Sequence, residues 1–125
     1  MKTVGYLISH KNNERRRALL PQDAALIQHR QELVIESGYG EALGYSDADY
    51  RDAGVSAADR KQVLSCDVLV DVKLGDAGFL PEISPAKTLV GWAHVVQKTD
   101  FTSAAVAGRH SVIAWENMME KGRYL

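Results

Sequence analysis

Short apolar runs rich in β-branched residues recur along the chain and are separated by longer stretches of mixed polarity. Five such runs predict β-strands that begin near Thr3, Glu32, Asp67, Thr88 and Ser111. Four of these runs are almost continuously apolar instead of alternating. That pattern is typical of strands that are covered on both faces, as they are in a parallel sheet.

The stretches between the predicted strands carry signals of helix ends. Pro21 suits the first position of a helix over residues 21–30, and Asp100 is placed to cap a helix that Gly108 would end. The sequence "ENMMEKGRYL", residues 116–125, also begins like a helix.

Two further segments have the spacing of a capping box, Ser46 with Asp49 and Ser56 with Asp59. Because strands alternate with helices, right-handed crossovers are expected between neighbouring parallel strands. The sequence therefore predicts an α/β fold with a doubly wound, mainly parallel open sheet of about five strands.

Composition narrows the class of protein. With 125 residues, 46% of them hydrophobic and 25% charged, the chain is predicted to form one globular domain. A formal net charge of -1 argues against a nucleic acid or an anionic membrane as partner, and no apolar run is long enough to span a bilayer. The lone Cys66 and the absence of zinc-type spacing predict no disulfide, no metal site and a cytoplasmic location.

The glycine-rich stretch "GYGEALG", Gly38 to Gly44, follows a predicted strand but does not have the spacing of a dinucleotide-binding loop. A tight turn with positive φ angles at its glycines is the better interpretation. No cofactor-binding residues are therefore predicted in this chain.

Polar residues that follow the predicted strands are the candidates for chemistry, because ligands of doubly wound sheets bind at the carboxyl ends of the strands. These residues are the segment 10–17, Lys73, His94 and Glu116. A guanidinium can bind a carboxylate with two hydrogen bonds, a lysine adds a point charge, and an imidazole can transfer a proton near neutral pH. Together they suit a small carbonyl acid, whereas any one of them alone could be a solvated loop residue.

The sequence "KNNERRRALLP", residues 11–21, resembles the N-terminal signature of the alanine dehydrogenase and transhydrogenase family. Four further segments resemble that family in the same order along the chain: residues 37–54, 67–73, 91–94 and 113–117. The resemblance covers residues 1–125 and implies an N-terminal substrate-binding domain with a flavodoxin-like fold.

The resemblance also distinguishes the three consecutive arginines. When the chain is aligned on residues 11–14, the family's substrate-carboxylate arginine falls on Arg16, and Arg15 and Arg17 inherit no role. The resemblance implies that Lys73 binds substrate as well.

Its implied catalytic residues are Lys73, His94 as acid-base residue, and Glu116 as a polarising partner of the histidine. We expect Arg16, Lys73 and His94 to face one cleft.

Within the family, residues 72–77, 91–102 and 114–125 look most like the carboxyethylornithine synthases. Those opine-forming enzymes join pyruvate reductively to the side-chain amine of ornithine, using NADPH. Alanine dehydrogenases typically have Lys-Glu-Pro where this chain has Lys73-Leu74-Gly75, which argues against alanine as product. Lysine is also open as the amine of the opine-forming reaction. The alternative is that the chain is the corresponding part of an alanine dehydrogenase or a saccharopine dehydrogenase.

Family members are longer, with a Rossmann cofactor domain after this region and a last segment that completes the first domain. The resemblance therefore implies that NADPH or NADH binds to a domain absent from this chain, and that the isolated chain is inactive. It also implies a keto acid and an amino acid as substrates and a homo-oligomer in the full-length form. A truncated, non-catalytic binding module is a further alternative, and an unpaired strand edge or apolar face is expected near Leu125.

Overall fold

The computed structural model describes residues 2–117, 119–120 and 123–124. Six parallel strands form one open sheet in the order β3-β2-β1-β4-β5-β6. The strands are β1 (Val4–Tyr6), β2 (Leu33–Glu36), β3 (Ser56–Ala58), β4 (Val68–Val70), β5 (Thr88–Gly91) and β6 (Ser111–Ala114).

Four α-helices accompany this sheet in the described part of the chain: α1 (Pro21–Ala24), α2 (Asp47–Asp52), α3 (Arg60–Leu64) and α4 (Thr99–Ala107). Short 3-10 turns occupy Arg30–Glu32, Glu41–Leu43, Leu74–Asp76, Leu80–Glu82 and Trp115–Asn117. The parallel sheet confirms the predicted α/β class, and each of the five predicted strands is present.

The sixth strand, β3, was missed by the sequence analysis. Ser56 is not the cap of a helix, because it pairs with Val34 in the edge strand of the sheet. Asp59 instead accepts a hydrogen bond from the backbone N–H of Gln62 and forms a capping box for α3. The other predicted capping box is confirmed at the start of α2.

Two helix boundaries also differ from the prediction. Helix α1 begins at Pro21 as expected but ends at Ala24, and Leu26 beyond it is 85% exposed. Asp100 lies inside the first turn of α4 instead of capping it, and the N-cap is Lys98. Gly108 ends that helix as predicted.

Apolar side chains fill both faces of the sheet. Along β1 and the residue after it, Tyr6 and Leu7 point to opposite faces and join two different buried clusters. The Leu7 cluster includes residues of α3 and α4, and the Tyr6 cluster includes residues of α1 and α2. The sheet is therefore doubly wound, which places its carboxyl edge at the surface between the two helical layers.

The strand order reverses direction between β1 and β4. It is the 3-2-1-4-5-6 order, which differs in strand sequence from the flavodoxin order within the same doubly wound class. A crevice forms outside the carboxyl ends of strands at such a reversal, because the loops of β1 and β4 diverge there. The loop that contains residues 10–17 and the loop that contains Lys73 both begin at this crevice.

After β6 and the turn Trp115–Asn117, the predicted helix is not formed. The strands β7 (Met119–Glu120) and β8 (Arg123–Tyr124) pair antiparallel instead. The strand edge or apolar face expected near Leu125 lies outside the described residues. No helix among the described residues is long and apolar enough to cross a membrane.

Candidate functional site

The loop that follows β1 fixes two of its three arginines against the glycine-rich turn. Arg15 donates from Nη2 to the backbone oxygen of Ala42 at 2.6 Å. Arg17 donates from Nε to the backbone oxygen of Tyr39 at 2.6 Å, and its guanidinium lies 5.6 Å from the centre of the Tyr39 ring. Both side chains therefore tie the arginine loop to residues 39–42.

Arg16 is held differently, by a carboxylate of its own loop. Its Nε and Nη2 atoms donate to the two carboxylate oxygens of Glu14 at 2.9 and 2.7 Å. The Arg16 side chain is 63% exposed. Its Nη1 atom donates no hydrogen bond within the described part of the chain. The outer edge of the guanidinium can therefore donate hydrogen bonds to a second carboxylate.

These neighbours keep Glu14 ionised to an unusually low pH. The side-chain hydrogen bond from Arg16 lowers the pKa of Glu14 to about 2, against an opposing effect of burial, and the charge of Lys73 lowers it further. The charge of Lys73 thus acts on the same carboxylate that Arg16 holds, although the two cations follow different strands.

Lys73 stands at the start of the turn after β4. Its backbone N–H donates to the Asp71 carboxylate at 2.9 Å, and Asp71 is only 2% exposed. Burial raises the pKa of Asp71, opposed by the Lys73 N–H bond and by charges including Arg60. The Lys73 side chain donates no hydrogen bond to any described residue, so its ammonium is available to a ligand.

His94 sits on a tight turn after β5, in the left-handed region with a φ of 49°. The Trp92 ring stacks on its imidazole at a centroid distance of 6.2 Å. The Glu116 carboxylate accepts hydrogen bonds from the backbone N–H groups of Ala93, at 3.2 Å, and of His94. Glu116 therefore fixes the backbone of this turn, and its hydrogen bond to His94 is to the main chain.

The carboxyl group of Glu116 is anionic in this setting. Burial raises its pKa, but backbone hydrogen bonds from its own N–H and from His94 and Ala93, with the charge of His94, outweigh that effect and lower the pKa. An ionised acceptor makes the hold on the His94 turn stronger than a neutral one would.

The Lys73 loop and the His94 turn touch through Gly75. The Gly75 N–H donates to the backbone oxygen of Trp92 at 3.0 Å. A Cβ atom on Gly75 would lie 2.1 Å from the Ala93 oxygen, so only glycine permits this approach. Lys73 and His94 are thereby fixed relative to each other, while the shared cleft with Arg16 stays a prediction.

Lys11, from the candidate segment 10–17, joins two charged residues that the sequence analysis missed, Asp76 and Lys98, and we call these three residues the Asp76 cluster. One oxygen of Asp76 accepts hydrogen bonds from Lys98 at 2.8 Å and from Lys11 at 3.3 Å. Asp76 and Lys98 come three and four residues after Lys73 and His94, which is the only signal of their proximity that the sequence offers.

A second ion pair holds the start of the arginine loop. Arg60 donates to the Glu36 carboxylate at 2.8 Å, and the same oxygen accepts the backbone N–H of Ile8 at 3.0 Å. Since Ile8 begins the loop after β1, this pair fixes where the loop departs from the sheet.

A cavity of about 490 Å³ opens beside these loops, and we call it the α4 cavity. It lies between residues 75–81 and the first turn of α4, with Asp76 and Lys98 on its wall and Phe101 at its base. Arg16, Lys73 and His94 do not line it.

The described residues do not fit a nicotinamide dinucleotide. The loop after β1 contains no glycine between Leu7 and Leu20, so it cannot bring backbone N–H groups against a pyrophosphate in the usual way. Gly38 and Gly44 have the predicted positive φ angles of 87° and 86°, but Gly40 is needed for packing, since a Cβ there would lie 2.7 Å from the Tyr50 ring. Nor do any three His, Cys, Asp or Glu residues of the described ranges form a metal-binding group.

Comparison with protein families and sequences gives consistent matches. The family model described as "Alanine dehydrogenase/PNT, N-terminal domain" matches residues 9–124. A protein named N(5)-(carboxyethyl)ornithine synthase from Clostridium botulinum is 37% identical over 92 residues, which cover 73% of this chain and 28% of that protein. An alanine dehydrogenase from Mycolicibacterium smegmatis is 32% identical over 120 residues, covering 92% of this chain and 32% of that protein.

A solved structure of an L-alanine dehydrogenase matches 97% of this chain with a TM-score of 0.87 and 23% identity, and the matched part is 34% of that chain. At this identity the likeness shows the fold. The present chain spans less than a third of the length of the two curated relatives.

Proposed function

The chain belongs to the alanine dehydrogenase/PNT N-terminal domain family, and from this membership we propose that it is the substrate-binding domain of an opine-forming oxidoreductase. Its homologues are dehydrogenase-type oxidoreductases. The observation that supports the proposal is the pairing of Arg16 with both oxygens of Glu14, a carboxylate on which the charge of Lys73 also acts, at the edge of the sheet where ligands of this fold class bind.

The proposed keto acid is pyruvate, and two cations would hold it. The outer edge of Arg16 binds its carboxylate, while Glu14 keeps the inner edge of the guanidinium in place. Lys73 donates to the carbonyl oxygen and draws electron density from the carbonyl carbon. That carbon is then open to attack by an amine.

The proposed reaction joins pyruvate to the side-chain amine of ornithine or lysine. The amine nitrogen attacks the carbonyl carbon, water leaves, and reduction of the C=N bond gives a secondary amine. In balance, keto acid, amine, NAD(P)H and one proton give the secondary amine, NAD(P)⁺ and water. The hydride would come from a nicotinamide cofactor held by a domain outside this chain.

His94 is the proposed proton carrier. Its imidazole accepts a proton from the incoming ammonium and returns one to the departing hydroxyl group, which leaves as water. Trp92 stacks on the ring, and Glu116 holds the backbone of the turn, so the imidazole is oriented before substrate arrives. Glu116 acts in this proposal as a positioning residue.

The corresponding part of an alanine dehydrogenase is the second candidate, supported by the relative that is 32% identical. The contact at Gly75 favours the first candidate. Alanine dehydrogenases typically have proline at this position, whereas here any Cβ would lie 2.1 Å from the Ala93 oxygen. The His94 turn thus stands closer to the Lys73 loop than a proline would permit.

The amine that supports turnover tests the proposal. The assembled enzyme, with this chain and its cofactor domain, is supplied with pyruvate and either ornithine, lysine or ammonia, with NADPH and NADH compared. We expect cofactor oxidation with ornithine or lysine and a secondary-amine product by mass spectrometry. Turnover with ammonia alone would instead establish an alanine dehydrogenase, and absence of turnover with every amine would support a non-catalytic binding module.

A further inference from the structure

The α4 cavity and the Asp76 cluster have no role in the chemistry derived so far, yet they lie beside it. The Asp76 N–H donates to the backbone oxygen of Lys73 at 3.0 Å, and the Lys98 N–H donates to the backbone oxygen of His94 at 2.9 Å. Asp76 and Lys98 therefore each lie one backbone turn after a proposed site residue.

The wall carries two carboxylates, Asp76 and Asp100, and one ammonium group, Lys98, and of these Asp76 and Lys98 are paired with each other. Asp76 and Lys98 form a 2.8 Å ion pair whose side chains are 21% and 36% exposed. The hydrogen bond from Lys98, opposed by burial and assisted by Lys11, lowers the pKa of Asp76, so the pair is charged at neutral pH. A partly exposed pair of this kind contributes little stability and opens at small cost.

Resting on the proposed function, we propose that the α4 cavity binds the zwitterionic end of the amino acid whose side-chain amine condenses with the keto acid. Asp76 binds its α-ammonium group and Lys98 binds its α-carboxylate. The ligand thus replaces one ion pair by two, and the charges remain balanced. Lys11 contacts the same Asp76 oxygen at 3.3 Å but does not line the cavity, so it is not part of the subsite.

The size and charge of the site select this class of ligand. A volume of about 490 Å³ exceeds what ammonia needs and accommodates an amino acid. A dicarboxylate would leave a carboxylate against Asp76, and a simple amine would leave Lys98 without a new partner. Both mismatches cost binding energy, because a charged group is left poorly paired.

Two truncated amines separate the roles of the two residues. Putrescine has the ornithine skeleton without the carboxylate, and δ-aminovalerate has it without the α-ammonium group. In the assembled enzyme at saturating pyruvate, we expect kcat/KM for ornithine to exceed that for either analogue. Lys98→Gln should reduce the preference for ornithine over putrescine about tenfold or more, and Asp76→Asn should do the same for δ-aminovalerate.

The controls distinguish binding from a structural tie. Lys98→Arg should restore the preference over putrescine, and Lys11→Gln, which removes the other cation on Asp76, should leave both preferences and the KM for pyruvate unchanged. Equal loss in Lys11→Gln, or unchanged preferences in both Lys98→Gln and Asp76→Asn, would overturn the inference while the proposed function stands. Wild-type turnover with ammonia alone would overturn both.

If circular dichroism shows that Lys98→Gln does not fold, Asp76→Asn alone tests the subsite, through the preference for ornithine over δ-aminovalerate. That variant keeps an oxygen acceptor at the same place and removes only the negative charge. An unchanged preference in it is sufficient to reject the subsite.

Discussion

Gly75 and Ala93 approach so closely that a Cβ atom on Gly75 would lie 2.1 Å from the Ala93 backbone oxygen. The contact joins the loop after β4 to the turn after β5, and those segments carry Lys73 and His94. Relative placement of the proposed carbonyl-binding and proton-transferring groups thus depends on a residue that has no side chain.

Gly75→Ala should separate these two segments. The added methyl group would force the Ala93 carbonyl away, at a cost of about 1–3 kcal/mol of unfolding free energy, as for other overpacked positions. We expect kcat of the assembled enzyme to fall more than the KM for pyruvate rises. Gly78→Ala is the matched control for overpacking, because a Cβ at Gly78 has no neighbour within 4 Å. Equal effects of the two substitutions on the free energy of unfolding would argue against the role given to this contact.

The carboxyl group of Glu14 should titrate far below an ordinary glutamate. We expect a pKa of about 2 by carbon-detected NMR of this chain, because Arg16 donates to both of its oxygens. Since the folded-state pKa lies below the unfolded one, the pair stabilises the fold above the ordinary value of 4.5 and loses that contribution as the pH falls toward about 2. Arg16→Ala should return the pKa toward 4.5, whereas Arg15→Ala, whose guanidinium is bound to Ala42, should not. A Glu14 pKa that is the same in wild type and Arg16→Ala would refute the pairing.

Asp71 should show the opposite pH dependence. Burial raises its pKa, with Lys73 N–H, Arg60 and His10 opposing and Glu36 assisting, so its contribution to stability is greatest at acid pH and declines as the pH rises through the folded-state pKa. Asp71→Asn keeps an acceptor for the Lys73 N–H and removes the charge. We expect the variant to be more stable than the wild type near neutral pH in denaturant unfolding.

Asp47 serves as a comparison, because its pKa is shifted in the direction opposite to that of Asp71. Hydrogen bonds from Ser37 and Gly38 lower the pKa of Asp47 against burial, so Asp47→Asn should lower stability near neutral pH. If Asp71→Asn destabilises the protein as much as Asp47→Asn does, the buried carboxylate is stabilising and the account of its environment is wrong.

How much of this molecule the sequence predicts depends on the range of the contacts involved. Runs such as residues 67–72 predict strands because their apolar side chains must be covered on two faces. The strand Ser56–Ala58 has small residues at the sheet edge, so its pairing with β2 is decided by tertiary contacts and leaves no pattern in its own residues.

The same distinction holds for the candidate site. Lys73 and His94 are predictable because they follow strands, and parallel strands end on one side of the sheet. The Asp76 cluster is not, since its two ion pairs join residues that are 65 and 22 positions apart in sequence. Glu14 lies within the signature segment 11–21, but only the folded structure shows that its carboxylate accepts two hydrogen bonds from the Arg16 side chain.

The measurement that tests the central claim most directly is the KM for pyruvate in Arg16→Ala and Arg15→Ala forms of the assembled enzyme. Arg16 binds the keto-acid carboxylate in this account, whereas Arg15 is occupied with the Ala42 carbonyl. We predict a rise of about tenfold or more in the KM for pyruvate in Arg16→Ala, with the KM for the amine little changed, and values close to wild type in Arg15→Ala. An unchanged KM for pyruvate in Arg16→Ala, or an equal rise in Arg15→Ala, would contradict the assignment.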